Sequence, residues 1–305
     1  METLLRNRVR TAGGQGGKGV TVGGMVYREL VYGGHLLALG TASIAATASF
    51  VLGRTPTWDL LLMAYLFSYG AYTVNRFSDF DQDRISHADR TAHLEGRRRL
   101  LPAIAAACFA VGYVLAFLRN LDFFAGLLLP LMLAVAYSVG SEKMGRALGI
   151  SRLKEGLFVK NLTVSFAWSL IPLLVGLYFL QFPVAEIALC PFIFLRLMVN
   201  TIFFDVRDME ADAAYGVRTI PVSLGIDASR KLMNVVDLSS GFYVALLVLW
   251  GVLPGFAGLL LIFVPYSFTY RYLSQRSPKH KDSWRDLAAD GEYILWGLVT
   301  CLGQV

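Results

Sequence analysis

Charge is scarce in this sequence: Asp, Glu, Lys and Arg make up only 16% of its 305 residues, whereas apolar residues make up 55%. The apolar residues form long blocks and do not alternate with polar ones, which excludes both an ordinary soluble domain and a transmembrane β-barrel. Cysteine is also rare. Cys108, Cys190 and Cys301 lie far apart in apolar blocks, without metal-ligand or redox spacing, so we expect them to be packing residues.

Nine apolar blocks approach the length of a membrane span, which is about 20 residues for a helix. They lie at residues 31–53, 57–75, 100–118, 122–140, 157–180, 184–204, 232–252, 254–272 and 291–305. Only helices and closed barrels satisfy their backbone hydrogen bonds inside lipid, so the blocks predict an all-α polytopic membrane protein with about nine transmembrane helices. The last block is too short to cross alone if the chain ends at Val305, which leaves the completeness of the ninth helix open.

The basic residues indicate an orientation. Of the 28 Lys and Arg residues, 24 lie in the N-terminal arm and in or at the edge of the loops after the second, fourth, sixth and eighth blocks, with Arg271 at the end of the eighth block. The other loops hold only Arg54 and Arg119, while Lys160 and Arg196 lie within apolar blocks. Because positive loops stay cytoplasmic, the N-terminus and the even-numbered loops are predicted to be cytoplasmic. The net charge of +6 then reflects topology and attraction to anionic lipid, and nothing indicates a nucleic-acid partner.

Carboxylates cluster at two places where an apolar block meets its cytoplasmic loop. In the first cluster Asn75, Asp79 and Asp83 fall on one stripe of a helix, because successive side chains are about 100° apart, whereas Asp81 points away. In the second cluster Asp205, Asp208 and Asp212 share a face in the same way. Acidic residues stacked on one face repel each other unless a cation lies between them.

Oxygen ligands with this spacing are typical of magnesium sites that substrate phosphates complete. Two such faces opposite each other would clamp a diphosphate through two or more Mg²⁺ ions. The six candidate metal ligands are Asn75, Asp79, Asp83, Asp205, Asp208 and Asp212. The alternative is that these side chains only pair with nearby arginines such as Arg76 and Arg207 at the membrane edge. The repetition of the spacing in two equivalent places favours the metal site.

The two clusters follow the second and the sixth block, which indicates a duplicated four-helix unit. The predicted organisation is a disordered, basic, Gly-rich cytoplasmic arm (residues 1–27) and one transmembrane domain (residues 28–305). That domain divides into a first repeat (28–156), a second repeat (157–273), and a last loop and helix (274–305). Because sites in repeated membrane folds commonly lie between the repeats, we expect a site shared by both halves.

These residues resemble the UbiA family of intramembrane prenyltransferases. The family's first motif, Asn-Asp-x-x-Asp-x-x-x-Asp, matches Asn75, Asp79 and Asp83, and its second motif, Asp-x-x-x-Asp, matches Asp208 and Asp212. Residues 215–222, which follow the second motif, also resemble the family's usual continuation. The resemblance extends over nearly the whole chain, because the number of helices and the duplication agree as well.

The resemblance implies roles for further residues. Asp79, Asp83, Asp208 and Asp212 are implied to be the catalytic carboxylates. Among the candidate ligands of the substrate diphosphate, the resemblance implies Asn75, Arg84, Tyr137, Ser138 and Lys143. Lys160 and Asn161 are candidates because polar residues within a span are costly and commonly functional, with snorkelling of Lys160 to the interface as the alternative. Arg76 departs from the family, since it replaces the Asp that normally follows the motif's Asn, and it is expected to bind a diphosphate oxygen directly. For His35 and Arg196, both within apolar blocks, lining the cavity and structural pairing remain open.

The implied function is magnesium-dependent ionisation of a prenyl diphosphate and transfer of the prenyl group to a hydrophobic acceptor. The acceptor is either aromatic, like a quinone precursor, or a lipid. A cation or metabolite transporter is the alternative, because duplicated helical halves with intramembrane acids also describe carriers. The carboxylates lie at the membrane edge in metal-ligand spacing, and this position favours the transferase.

Overall fold

The computed structural model describes residues 22–80, 83–84, 88–138, 158–214, 216–276 and 283–304, without the side chains of 134–138 and 283. Its regular structure in these ranges is helical. Two short 3₁₀ helices, Arg98–Leu100 and Gly255–Ile262, precede α5 and α13 respectively. The α-helices are α1 Val22–Tyr32, α2 His35–Val51, α3 Trp58–Ser78, α4 Ala88–Glu95, α5 Leu101–Arg119, α6 Leu121–Gly126, α7 Leu128–Ser138, α8 Val159–Ser169, α9 Ile171–Phe179, α10 Val184–Ala214, α11 Ile220–Leu224, α12 Ile226–Leu249, α13 Phe263–Arg276 and α14 Ser283–Leu302.

The predicted all-α polytopic fold is confirmed. Each of the nine apolar blocks coincides with one long helix or with two consecutive helices. By length and hydropathy alone, five helices of the described chain can cross a membrane, or six if the bent pair α1 and α2 counts as one span. The relation between the two predicted repeats stays a prediction.

The last helix is longer than the sequence pattern indicates. Its apolar block begins at residue 291, but α14 begins at Ser283 and runs for 20 residues to Leu302. At about 1.5 Å per residue this length matches the thickness of a bilayer core. Helix α14 is therefore long enough to cross a bilayer core, and its first half carries charged residues that hydropathy places in a loop.

Helix α1 begins at Val22, within the segment predicted to be a disordered arm. Glu29 holds this helix against the segment that contains His93 and Arg97. Its carboxylate accepts two 2.8 Å hydrogen bonds from Arg97 and one of 3.0 Å from His93. The hydrogen bonding to Glu29 is the main cause that raises the pKa of Arg97. The chain then bends by 62° into α2. At the bend Gly34 has φ 91°, and a Cβ there would lie 2.6 Å from the ring of Tyr72.

The main core combines helices from both predicted repeats with the last helix. Its large buried side chains include Ile44 on α2, Met63 on α3, Phe192 on α10 and Trp296 on α14. Helix α2 packs against α3 and α14 and also contacts α9 and α10. The two halves and α14 thus bury one continuous apolar core.

A buried ion-pair network crosses this core. Arg196 on α10 is 2% exposed and donates to Asp237 on α12, to Glu292 on α14 at 2.5 Å, and to the carbonyl of Phe263 at 2.9 Å. Arg271 on α13 also donates to Asp237, at 2.5 Å. Arg196 therefore pairs structurally, which decides between the alternatives that the sequence leaves open for it.

We expect Arg196→Met to lower the free energy of unfolding by about 3–5 kcal/mol, because it leaves the buried Glu292 without its cation. Chemical unfolding of the detergent-purified protein measures this change. Arg230→Met is the matched control, since Arg230 makes only an exposed pair with Asp227 at 3.5 Å. Similar stabilities of the two variants would contradict the structural role of Arg196.

Candidate active site

A cavity of about 770 Å³ opens between the two halves of the chain. One end is polar and receives side chains from α3, α4, α10 and α14, while the rest is apolar. The polar lining residues include Asn75, Arg76, Asp89, Arg90, Asn200, Arg207, Asp208, Asp286 and Asp290. The apolar lining residues include Leu60, Met63, Phe67, Phe109, Phe123, Leu127, Trp168, Ile171 and Val175. The cavity thus has the shared position that the duplication predicts.

The first motif reaches the cavity through the end of α3. The N–H of Asp79 bonds the carbonyl of Asn75 at 3.0 Å, and the N–H of Asp83 bonds the carbonyl of Asp79 at 2.8 Å. Each bond joins residues four apart, as in an α-helix. Asn75 lines the cavity, and its buried Oδ1 has no hydrogen-bond partner among the described residues. Asp79 and Asp83 are absent from the described cavity lining.

Arg76 lies at the polar end of the cavity and is only 5% exposed. Its Nη2 donates to the hydroxyl of Tyr72, and its guanidinium lies 4.2 Å from the centroid of the Tyr72 ring. Its buried Nη1 has no hydrogen-bond partner in the part of the chain that the structure describes. A buried cation with a donor left over is suited to binding an anion in the cavity.

Asp83 and Arg84 of the first motif form ion pairs and are not themselves part of the described cavity lining. Asp83 forms a 2.7 Å ion pair with Arg90, which itself lines the cavity. Arg84, predicted as a diphosphate ligand, is half-exposed and bonds both oxygens of Glu95, at 2.8 and 2.9 Å. Arg84 therefore points away from the cavity in this structure.

The second motif contributes Asp208 to the cavity. Arg207 binds both carboxylate oxygens of Asp208, at 2.8 and 2.9 Å, and bonds Asp286 of α14 at 2.5 Å. All three side chains line the cavity. The last helix is thereby tied to the second motif by one arginine.

The remaining acids of the second motif form a separate cluster with α8. Asp205 is 1% exposed and accepts hydrogen bonds from Lys160 at 2.6 Å and Asn161 at 2.7 Å. Lys160 also lies 3.9 Å from Asp212, which is buried. The predicted diphosphate ligands Lys160 and Asn161 thus bind Asp205. These three residues and Asp212 are not part of the described cavity lining.

Three further predicted ligands lie outside what the structure describes. Tyr137 and Ser138 belong to the end of α7, but their side chains are not described. Lys143 falls in residues 139–157, which the structure does not describe. Asp81 also lies outside the described residues. Their roles stay predictions.

Sequence reasoning missed five charged residues of the cavity lining as site candidates: Asp89, Arg90, Arg207, Asp286 and Asp290. The spacing of Asp286 and Asp290, four residues apart on one helix face, is the signal that was available. This signal was hidden because the apolar pattern starts at residue 291 and leaves both acids in a loop.

His35, by contrast, pairs with Tyr65 and Glu29, and it is not among the described lining residues.

The residues at the polar end fit a metal ion that arrives with a diphosphate better than a preformed metal cage. No group of three or more His, Cys, Asp or Glu side chains among the described residues is placed to hold a metal ion. Magnesium, however, is usually bound by one or two carboxylates together with substrate phosphates. Asp208 and the unpartnered Oδ1 of Asn75 supply oxygen donors of that kind.

Comparison with known proteins decides the family. The model of the UbiA prenyltransferase family matches residues 36–292, which is most of the chain. The chain belongs to the UbiA prenyltransferase family. It is therefore an integral, multi-pass membrane prenyltransferase, and the transporter alternative is not supported.

Individual UbiA relatives are similar at low identity. The digeranylgeranylglyceryl phosphate synthase of Thermococcus sibiricus is 24% identical over 247 residues, which cover 76% of this chain and 81% of that protein. A UbiA homologue of Archaeoglobus fulgidus, solved with GPP and Mg²⁺, has TM-score 0.64 and 18% identity over 90% of this chain and 99% of that one. A UbiA homologue of Aeropyrum pernix has TM-score 0.64 and 16% identity over 89% and 97%. The two solved structures confirm the UbiA fold.

We expect Arg76→Ala to weaken binding of a prenyl diphosphate roughly tenfold to hundredfold, because a hydrogen bond to a charged group contributes about 1.5–3 kcal/mol. Arg76→Asp, which restores the family residue, should be worse than Ala unless its carboxylate recruits magnesium. Calorimetry at several Mg²⁺ concentrations separates these cases. Arg230→Ala is the control, and unchanged affinity in both Arg76 variants would show that Arg76 is only a membrane-edge charge.

Proposed function

We propose that this UbiA-family enzyme uses magnesium to transfer a prenyl group from a prenyl diphosphate to the hydroxyl group of a glyceryl phosphate lipid. The proposal rests chiefly on the cavity, which joins a polar end carrying residues of both motifs to an apolar interior. A prenyl diphosphate has the same division, with an anionic head and a hydrocarbon tail. The head is expected at Arg76 and Asp208, and the tail along the apolar lining.

At the polar end the chain's own residues hold and stabilise the diphosphate. Arg76 and Asn75 would donate hydrogen bonds to its oxygens, and Asp208 and the Asn75 carbonyl oxygen would hold magnesium, with Asp79, Asp83 and Asp212 as further proposed ligands. Bound magnesium would neutralise charge on the diphosphate. Preorganised positive charge where a leaving group gains negative charge is commonly the largest contribution to catalysis. The number of ions, two or more, stays a prediction.

Beyond the polar end, the cavity wall protects the reacting carbon. Phe67, Phe109 and Trp168 line the cavity, and aromatic faces attract a positive charge. Burial between the helices excludes water, which would otherwise capture the allylic cation. The apolar wall thus serves both to hold the isoprenoid tail and to direct the cation towards the intended acceptor.

A lipid acceptor is favoured over an aromatic one by the relatives. The similar Thermococcus sibiricus protein is named for a glyceryl phosphate that carries two geranylgeranyl groups. An acceptor with one such group would present a free hydroxyl, an anionic head and an apolar tail. Arg90, at the polar end of the cavity, keeps a buried Nε without a partner among the described residues, and it is available to such a head.

We further propose that the motif end of the molecule faces the cytoplasm and that residues 28–305 act as one domain. Arg119 lies 4.2 Å from the ring centroid of Tyr178, and Arg54 bonds Gln181, so the two odd-loop arginines share one end. Helix α10 runs from that end, at Val184, to the acidic motif at Asp208. This separation agrees with the positive-inside rule.

The proposed function is tested by giving the purified protein radiolabelled geranylgeranyl diphosphate and a panel of acceptors. The panel contains a glyceryl phosphate with one geranylgeranyl ether, the same lipid without its free hydroxyl, hydroxybenzoate and a naphthoate. We expect a lipid-soluble product from the first acceptor only, and only when Mg²⁺ is present and EDTA absent. Preferential labelling of an aromatic acceptor would contradict the lipid assignment, and equal activity in EDTA would contradict the metal.

A further inference from the structure

Asp290 of α14 is a carboxylate inside the cavity that neither motif contains. It lines the cavity and accepts a 3.4 Å hydrogen bond from Nδ2 of Asn200, which is itself 6% exposed. The same Nδ2 bonds the carbonyl of Ala289 at 3.2 Å. Asn200 thereby fixes this turn of α14 and the Asp290 side chain against α10.

Among the lining acids of α14, Asp290 lies one helical turn farther from the second motif than Asp286, as the contacts Asn200–Asp290 and Arg207–Asp286 show. On α14 it follows Asp286 by four residues, which is about 6 Å along the helix axis. Its partner Asn200 precedes Asp208 by eight residues on α10, or about 12 Å, and the two helices run in opposite directions. Asp290 therefore lies between the charged residues that would hold the diphosphate and the apolar interior. The reacting carbon of a prenyl diphosphate bound in the cavity belongs at this boundary.

The other carboxylates of the described lining are less suited to accept a proton there. Asp208 and Asp286 both form ion pairs with Arg207, so their carboxylate oxygens are already engaged. Asp89 is exposed and belongs to α4, at the cavity's polar end. In the described part of the chain, no Lys or Arg nitrogen lies within ion-pair distance of Asp290.

A second observation indicates that an anionic ligand binds in the cavity that Asp290 lines. Arg76 lines the same cavity, is almost completely buried and has an Nη1 without a partner among the described residues. A diphosphate that Arg76 binds would occupy the same cavity as Asp290. Arg76 would then bind the departing diphosphate, and Asp290 would act on the acceptor.

We infer that Asp290 is the general base that takes the proton of the acceptor hydroxyl during prenyl transfer. The bond between the prenyl C1 and the diphosphate oxygen breaks, and its electron pair leaves with the diphosphate. The acceptor oxygen forms an ether bond to C1, and its proton moves to the Asp290 carboxylate, which later releases it to solvent. The inference rests on the proposed function, because it requires a hydroxyl acceptor.

Asp290→Asn tests this role, because Asn keeps the shape and can still bond Asn200 but accepts no proton. With geranylgeranyl diphosphate and the glyceryl phosphate acceptor, we expect kcat to fall roughly a hundredfold or more, which is typical for loss of a general base. The affinity for the donor should not change. Ionisation is followed separately, with donor labelled by ¹⁸O at the bridging oxygen and the acceptor analogue that lacks the hydroxyl. Scrambling of this label should stay at the wild-type rate.

Two further variants keep the inference falsifiable if Asp290→Asn is unstable. Asp290→Glu retains a base and should recover at least a tenth of the wild-type transfer rate, while Asp227→Asn, at an exposed site on α12, is the control. Wild-type transfer by Asp290→Asn would overturn the role of Asp290. Equal loss of transfer and scrambling in Asp290→Asn and Asp290→Glu would show a structural role and overturn it as well.

The experiment also separates this inference from the proposed function. If the wild-type protein scrambles the label but transfers nothing to the hydroxyl acceptor, the lipid assignment and the base both fail. If it transfers normally and Asp290→Asn does so too, only the base fails.

Discussion

The cost of burying charge in an apolar protein is the constraint on which this structure depends. An ion removed from water is strongly destabilising unless it is paired, and the cost is greatest within a membrane. Arg196 satisfies this condition with Asp237 and Glu292, and Lys160 does so with Asp205. These pairs connect α10 to α8, α12 and α14. The same residues that make burial of charge possible thus hold the helices around the cavity.

At the polar end of the cavity, the buried charges are only partly paired, and this incomplete pairing indicates the functional site. Arg207 is fully engaged with Asp208 and Asp286, whereas Arg76 keeps a buried donor without a partner among the described residues. A diphosphate would complete the coordination of Arg76. In the motif that this sequence resembles, an Asp stands at this position, so this chain has a cation directly beside Asn75 where that motif has a carboxylate.

The fold was largely predictable from the sequence, but the site was predictable only in part. Apolar length and helical spacing are local properties, so they located the helices and placed Asn75 and Asp208 at one site. Contacts between different helices depend on tertiary packing and are not visible in local sequence patterns. Examples are the ion pairs of Asp205 with Lys160 and of Arg84 with Glu95. The start of α14 was misplaced for the same reason, since Asp286 is accommodated by Arg207, a partner that hydropathy does not register.

The central claim is that a single cavity between the two halves binds the metal and the prenyl diphosphate through both motifs. The most direct test is an experimental structure of the full chain with Mg²⁺ and a non-cleavable geranylgeranyl thiolodiphosphate. The account predicts the diphosphate at the polar end, in contact with Arg76, metal density at Asp208 and Asn75, and the isoprenoid chain along the apolar lining near Phe123. A diphosphate bound outside this cavity, or one that contacts only a single motif, would contradict it.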